Sequence, residues 1–96
     1  MGKPKKRKTS RRRATFVLDA PHAHRVSLVG DFNNWDPQKH PMNNKGEGRW
    51  QKAVMLDPGT YEYKFWVDEQ WLIDNRNAYR CPNTFGTMNS LITVSP

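Results

Sequence analysis

Hydrophobic and polar positions alternate most clearly between Gly59 and Trp71. Successive side chains of a strand point to opposite faces, so this run divides into two sets. Tyr61, Tyr63, Phe65 and Val67 make a large apolar face that reads as core. Glu62, Lys64, Trp66 and Asp68 make the other, polar except for one indole, and read as a half-wet surface. Asp57-Pro58-Gly59 supplies a turn before the run. Asp68-Glu69-Gln70 reverses the chain into Trp71-Leu72-Ile73, so Trp71 is expected on a neighbouring strand, beside Lys64. Further strands are expected at Ala14–Leu18, Arg25–Val29, Arg49–Leu56 and Leu91–Val94. Phe32 to Pro37 reads as a turn, residues 38–48 as a polar loop, and residues 74–90 as a long polar connection holding Tyr79, Phe85 and Met88. Nowhere do apolar residues recur at three-to-four spacing over enough residues for a helix. Short strands between turn signals imply an all-β fold, an antiparallel β-sandwich.

Charge changes the picture at one end only. The first 13 residues hold eight Lys and Arg and no acid, whereas residues 14–96 hold eight Lys and Arg against nine Asp and Glu, a net −1. Residues 1–13 therefore read as a disordered basic tail, and residues 14–96 as a nearly neutral domain. Such a tail either solubilises the chain or makes weak contact with nucleic acid or an anionic surface. One cysteine, Cys81, permits no internal disulfide framework. The sequence holds no apolar run of bilayer length and no signal-peptide core, so a cytoplasmic protein without a membrane partner is the expectation.

Candidate catalytic chemistry is sparse. His22 and His24 lack a third ligand at metal-site spacing, and His40 stands alone, so no metal and no cofactor is expected. There is no phosphate-binding Gly-rich loop and no nucleophile elbow. Glycoside hydrolysis needs two carboxyl groups roughly 5–9 Å apart in a cleft. Asp31, Asp36, Asp68, Glu69 and Asp74 fall instead in turns or at strand ends, where acids serve local hydrogen bonds. An enzyme is not expected.

Four tryptophans in 96 residues are the remaining signal. Trp50 reads as core, beside Val54 and Leu56, and Trp66 is left undecided. Trp35 sits in a turn and Trp71 opens a short strand, both awkward places to bury an indole. Partial exposure of Trp is common, so burial and function remain open on these grounds alone. In the functional alternative the two flat rings share one side of the sheet and stack on the C–H faces of sugars. Lys64 and Asn side chains then donate to hydroxyls.

Three blocks carry a resemblance. They are Val26-Ser27-Leu28-Val29-Gly30-Asp31-Phe32-Asn33-Asn34-Trp35, Gly59 to Asp68 with Trp71, and Phe85-Gly86-Thr87-Met88-Asn89-Ser90-Leu91-Ile92-Thr93-Val94. In this order, over about residues 14–95, the chain resembles carbohydrate-binding module family 48. That family includes the glycogen-binding domain of the β subunit of AMP-activated protein kinase and the N-terminal domains of isoamylases and branching enzymes. The resemblance implies an immunoglobulin-like (early-set) sandwich and non-catalytic binding of α-1,4-linked glucans such as glycogen, amylose and maltooligosaccharides. It implies that Trp35 and Trp71 stack on glucose units and that Lys64 hydrogen-bonds their hydroxyls. Phe85 would reach into the curve of the glucan, with Thr87 and Asn89 beside it. Phe85 is bulkier than the aliphatic residue of the kinase subunit. Two other roles follow from the same fold: a protein-interaction domain that has lost sugar binding, and an accessory N-terminal module of a branching or debranching enzyme. Either brings an enzyme or kinase partner.

Overall fold

A computed structural model describes residues 11–96. Its strands are β1 (Arg12–Asp19), β2 (Val26–Gly30), β3 (Asn43–Gly46), β4 (Arg49–Leu56), β5 (Gly59–Val67), β6 (Gln70–Leu72), β7 (Arg80–Pro82) and β8 (Met88–Val94). All pairings are antiparallel. One sheet has the order β1-β4-β3; the other runs β2-β5-β8-β7, with β6 also paired to β5. The protein is an all-β, immunoglobulin-like sandwich. A single 3₁₀ turn at Asp31–Asn33 is the only helical element among the described residues.

Alternation puts the inner positions of both sheets into one core. Ala14, Phe16 and Leu18 of β1 and Trp50 and Leu56 of β4 meet Val26 and Leu28 of β2 and Tyr63 and Phe65 of β5. The Phe16 and Tyr63 rings pack edge to face at 4.9 Å, the favoured geometry for aromatic quadrupoles. Trp50 is buried as expected, and its indole N–H donates to the Ala20 carbonyl at 3.1 Å.

Four expectations need correction. The tail boundary at residue 13 falls inside β1, where Arg12 pairs with Leu56 and Arg13 with Met55; Arg11 is exposed just before the strand, and the tail expectation for residues 1–10 lies outside the described residues. The polar loop 38–48 contains β3, whose four residues are all exposed, so no buried face announces it. The connection 74–90 contains β7, a three-residue edge strand ending in proline. Finally, Trp71 pairs with Trp66 rather than Lys64, because the hairpin uses only Asp68 and Glu69 as its loop.

The 74–90 connection is pinned by polar groups. The Tyr63 hydroxyl donates to Asp74 Oδ2 at 2.7 Å and accepts from Asn77 Nδ2 at 3.0 Å. Burial pushes the Tyr63 hydroxyl well above its ordinary pKa, so it stays a donor. The Asp74 backbone N–H donates to Ser90 Oγ, and Asn77 also donates to the Leu91 carbonyl. These bonds satisfy buried polar groups that would otherwise be costly.

Candidate functional site

β5 presents Glu62, Lys64 and Trp66 on the outer face of the larger sheet, and neighbouring elements build a groove over them. From one side comes the turn after β2. Gly30 is required there by contact: a Cβ would lie 2.6 Å from the Glu62 carbonyl oxygen. Asn33 closes the turn, accepting from the Gly30 N–H and donating to the Leu28 carbonyl and to His40 Nδ1. Burial, with the charges of Lys52 and Lys39, lowers the His40 pKa and keeps that nitrogen an acceptor.

Trp35 follows in an unusual backbone state. Asn34 and Trp35 have φ of 58° and 57°, the left-handed region that costs a side-chain-bearing residue roughly 1–2 kcal/mol. Two bonds hold it there: its backbone N–H donates to the Gly30 carbonyl at 3.0 Å, and its indole N–H to Asp31 Oδ1 at 3.1 Å. Asp31 Oδ2 in turn accepts the Glu62 N–H at 2.8 Å, tying the turn to β5. The indole is thus fixed over the sheet by backbone strain and hydrogen bonds together.

The β5–β6 hairpin supplies the second ring. Asp68 and Glu69 both have positive φ, 47° and 68°, as a two-residue turn matched to strand twist requires. The Asp68 carboxylate accepts from the backbone N–H groups of Arg25 and His24, which lower its pKa, the Arg25 bond most of all. Trp71 is 45% exposed, with its ring centroid 6.3 Å from Trp35 at 64° and 4.6 Å from Trp66 at 70°. The three indoles form one ridge.

A connected polar network lines the far side. Lys64 is more buried than a half-wet position implies, only 9% exposed, and its ammonium donates to Thr87 Oγ1 at 3.0 Å. Asn83 organises the loop before β8. Its amide nitrogen donates to Thr87 Oγ1 and Asn89 Oδ1, and its Oδ1 accepts the backbone N–H groups of Phe85 and Thr87. Gly86, at φ 81°, completes the loop. Phe85 stands at its tip, 89% exposed. Asn89 is buried and donates to Glu62 Oε1 at 2.9 Å.

All six residues singled out from the sequence, Trp35, Lys64, Trp71, Phe85, Thr87 and Asn89, line this one groove of about 910 Å³. Asp31, Glu62 and Asn83 line it too and went unrecognised. Glu62 shares the alternating face with Lys64, so period alone placed it there. Asn83 carried only the Pro-Asn turn signal.

Residues 15–96 match the family described as the glycogen recognition site of AMP-activated protein kinase. The chain belongs to this family. A region of 50 residues, 52% of the chain, is 48% identical to the 1,4-alpha-glucan branching enzyme GlgB of Rhodopseudomonas palustris (strain BisA53) and covers 7% of that protein. Over the same length it is 53% identical to GlgB 2 of Xanthomonas campestris pv. campestris (strain 8004), again 7% of the relative. The fold is similar to that of the maltogenic amylase from S. marinus, with a TM-score of 0.75 over 91% of this chain and 14% of that one at 23% identity. The chain thus spans a small fraction of the relatives it matches. Family membership makes the domain a carbohydrate-binding module, as the three sequence blocks led us to expect. Among the described residues no helix is long and apolar enough to cross a membrane.

Proposed function

We propose that this domain binds α-1,4-linked glucan in the groove between Trp35, Trp71 and the Phe85 loop, without catalysing a reaction on it. The observation that carries the reading is the pair of indoles 6.3 Å apart at 64° above a floor of hydrogen-bonding groups. Two inclined rings suit a chain that curves, because successive sugar units then meet successive faces. Lys64 has further ammonium protons beyond the one given to Thr87, and Glu62 has a second carboxylate oxygen, so donors and acceptors remain for hydroxyls. Phe85, held out by Asn83, fits the concave side of such a chain. Asp31 and Glu62 are already acceptors for an indole, a backbone amide and Asn89 in an open groove, which suits orientation rather than acid–base work.

Open platforms bury little area and leave sugar hydroxyls in exchange with water, so affinity is expected to be modest. In the whole protein the module would hold an attached or associated enzyme on its polymer, raising the local substrate concentration. The test is native gel electrophoresis through glycogen. Trp35→Ala and Trp71→Ala should each remove the retardation shown by the parent protein while leaving thermal unfolding cooperative. Undiminished retardation of both variants contradicts the reading and favours a purely protein-binding sandwich.

A further inference from the structure

The indole ridge has a second flank. Trp66 packs edge-on against Trp71 on one side; on the other it lines a separate groove of about 600 Å³. There β2 places Ser27 directly opposite Trp66, and an isolated bridge from Ser27 to Pro41 brings the 36–42 segment alongside. Pro37, Gln38, Arg25 and Glu69 line the groove with Ser27 and Trp66. Pro37 comes two residues after Trp35, so the same turn borders both grooves.

The chemistry of this groove matches the first one in kind. A half-buried indole offers a flat apolar surface, and an amide, a hydroxyl, a guanidinium and a carboxylate stand around it. Among the described residues no cluster of one sign lines the groove to select an ion: Arg25 and His24 stand against Asp68 and Glu69, and the Asp68 carboxylate is occupied by the backbone amides of His24 and Arg25, with the His24 ring 3.7 Å away. A ring platform with mixed donors and acceptors and little charge bias suits a neutral polyhydroxy ligand.

We infer that the groove at Trp66 is a second glucan subsite, reached by the same polymer after it crosses the Trp35–Trp71–Trp66 ridge, so that long chains are held at two places and short ones at one. This rests on the reading of the first groove proposed above. Its consequence is avidity: once a chain occupies the first groove, its continuation meets the second at high effective concentration.

Amide NMR titrations with maltotriose and with maltodecaose test it. Trp66 touches Trp71 and would shift either way, so the readout is the Ser27 backbone amide and the Gln38 side-chain amide. Both sugars should perturb the Trp35 and Trp71 indole N–H signals; only maltodecaose should also perturb Ser27 and Gln38. Gln38→Ala should weaken maltodecaose binding threefold or more and leave the maltotriose affinity unchanged. Maltodecaose shifts confined to the first groove, with no loss in Gln38→Ala, overturn the second subsite while leaving the first intact. Silence of every signal with both sugars overturns both.

Discussion

The Lys64 ammonium lies 3.0 Å from Thr87 Oγ1, joining the middle of β5 to the loop that raises Phe85. Holding a charged group at 9% exposure against the neutral Thr87 hydroxyl is a poor use of a lysine for stability, since desolvation of its charge offsets much of the gain. Lys64→Met should therefore keep unfolding stability within about 1 kcal/mol of the parent, while glycogen binding falls at least tenfold. Chemical denaturation beside a glycogen-retardation assay checks both; parallel losses in stability and binding would make Lys64 a structural residue.

Trp35 separates backbone strain from function. Glycine adopts a φ of 57° without the Cβ penalty that alanine retains. Trp35→Gly should therefore be more stable than Trp35→Ala by about 1 kcal/mol, yet both should fail to bind glucan. Equal stabilities in denaturant would mean that this backbone relaxes once the indole is gone.

The same reasoning applies to the β5–β6 turn, where Glu69 has φ 68°. Glu69→Gly should raise stability by about 1 kcal/mol, seen as a higher thermal midpoint. A lower midpoint would show that the Glu69 side chain makes compensating contacts.

Asn83 is the positioning residue of the loop, with four side-chain hydrogen bonds converging on Phe85, Thr87 and Asn89. Removing them by Asn83→Ala leaves those groups to water or unpaired, about 1–3 kcal/mol for any that stay buried. Glucan affinity should drop about tenfold, in line with roughly 1.4 kcal/mol, and amide exchange at Phe85 and Thr87 should quicken. Unaltered affinity in calorimetry would make the loop dispensable.

His40 gives the domain a pH dependence of definite sign. Its folded pKa is lowered, so below the unfolded value of about 6.5 the unfolded chain takes up a proton that the folded one resists. Stability from this group is complete above about pH 6.5 and declines as pH falls toward the folded pKa. Protonation also turns Nδ1 into a donor facing the Asn33 amide donor, 2.8 Å away. His40→Gln, which retains an acceptor, should flatten the decline between pH 7 and pH 5 in denaturant titrations. An unchanged slope would assign the decline to other groups.

Much of this was legible because β5 has one large and almost wholly apolar face: Tyr63 and Phe65 are buried, as the alternation with Glu62 and Lys64 leads one to expect. The two indoles could be paired because the turn after β2 and the short β6 both flank β5. What stayed hidden lacked a buried face. Asn43–Gly46 is polar throughout, and Arg80–Pro82 is three residues long, so neither shows a period. The depth of Lys64 was also invisible, since the Thr87 loop and the other groove-lining residues come beside it only after long-range pairing. The Asp31 carboxylate entered the groove by the same route, through its bond to the Glu62 N–H.

The most direct test is an NMR titration with maltoheptaose that follows the four indole N–H resonances. Trp35 and Trp71 should move in a saturable manner, with Trp50, buried in the core, as the unmoved reference. If Trp35 and Trp71 hold still at millimolar sugar, or move no more than Trp50, the groove is not a glucan site.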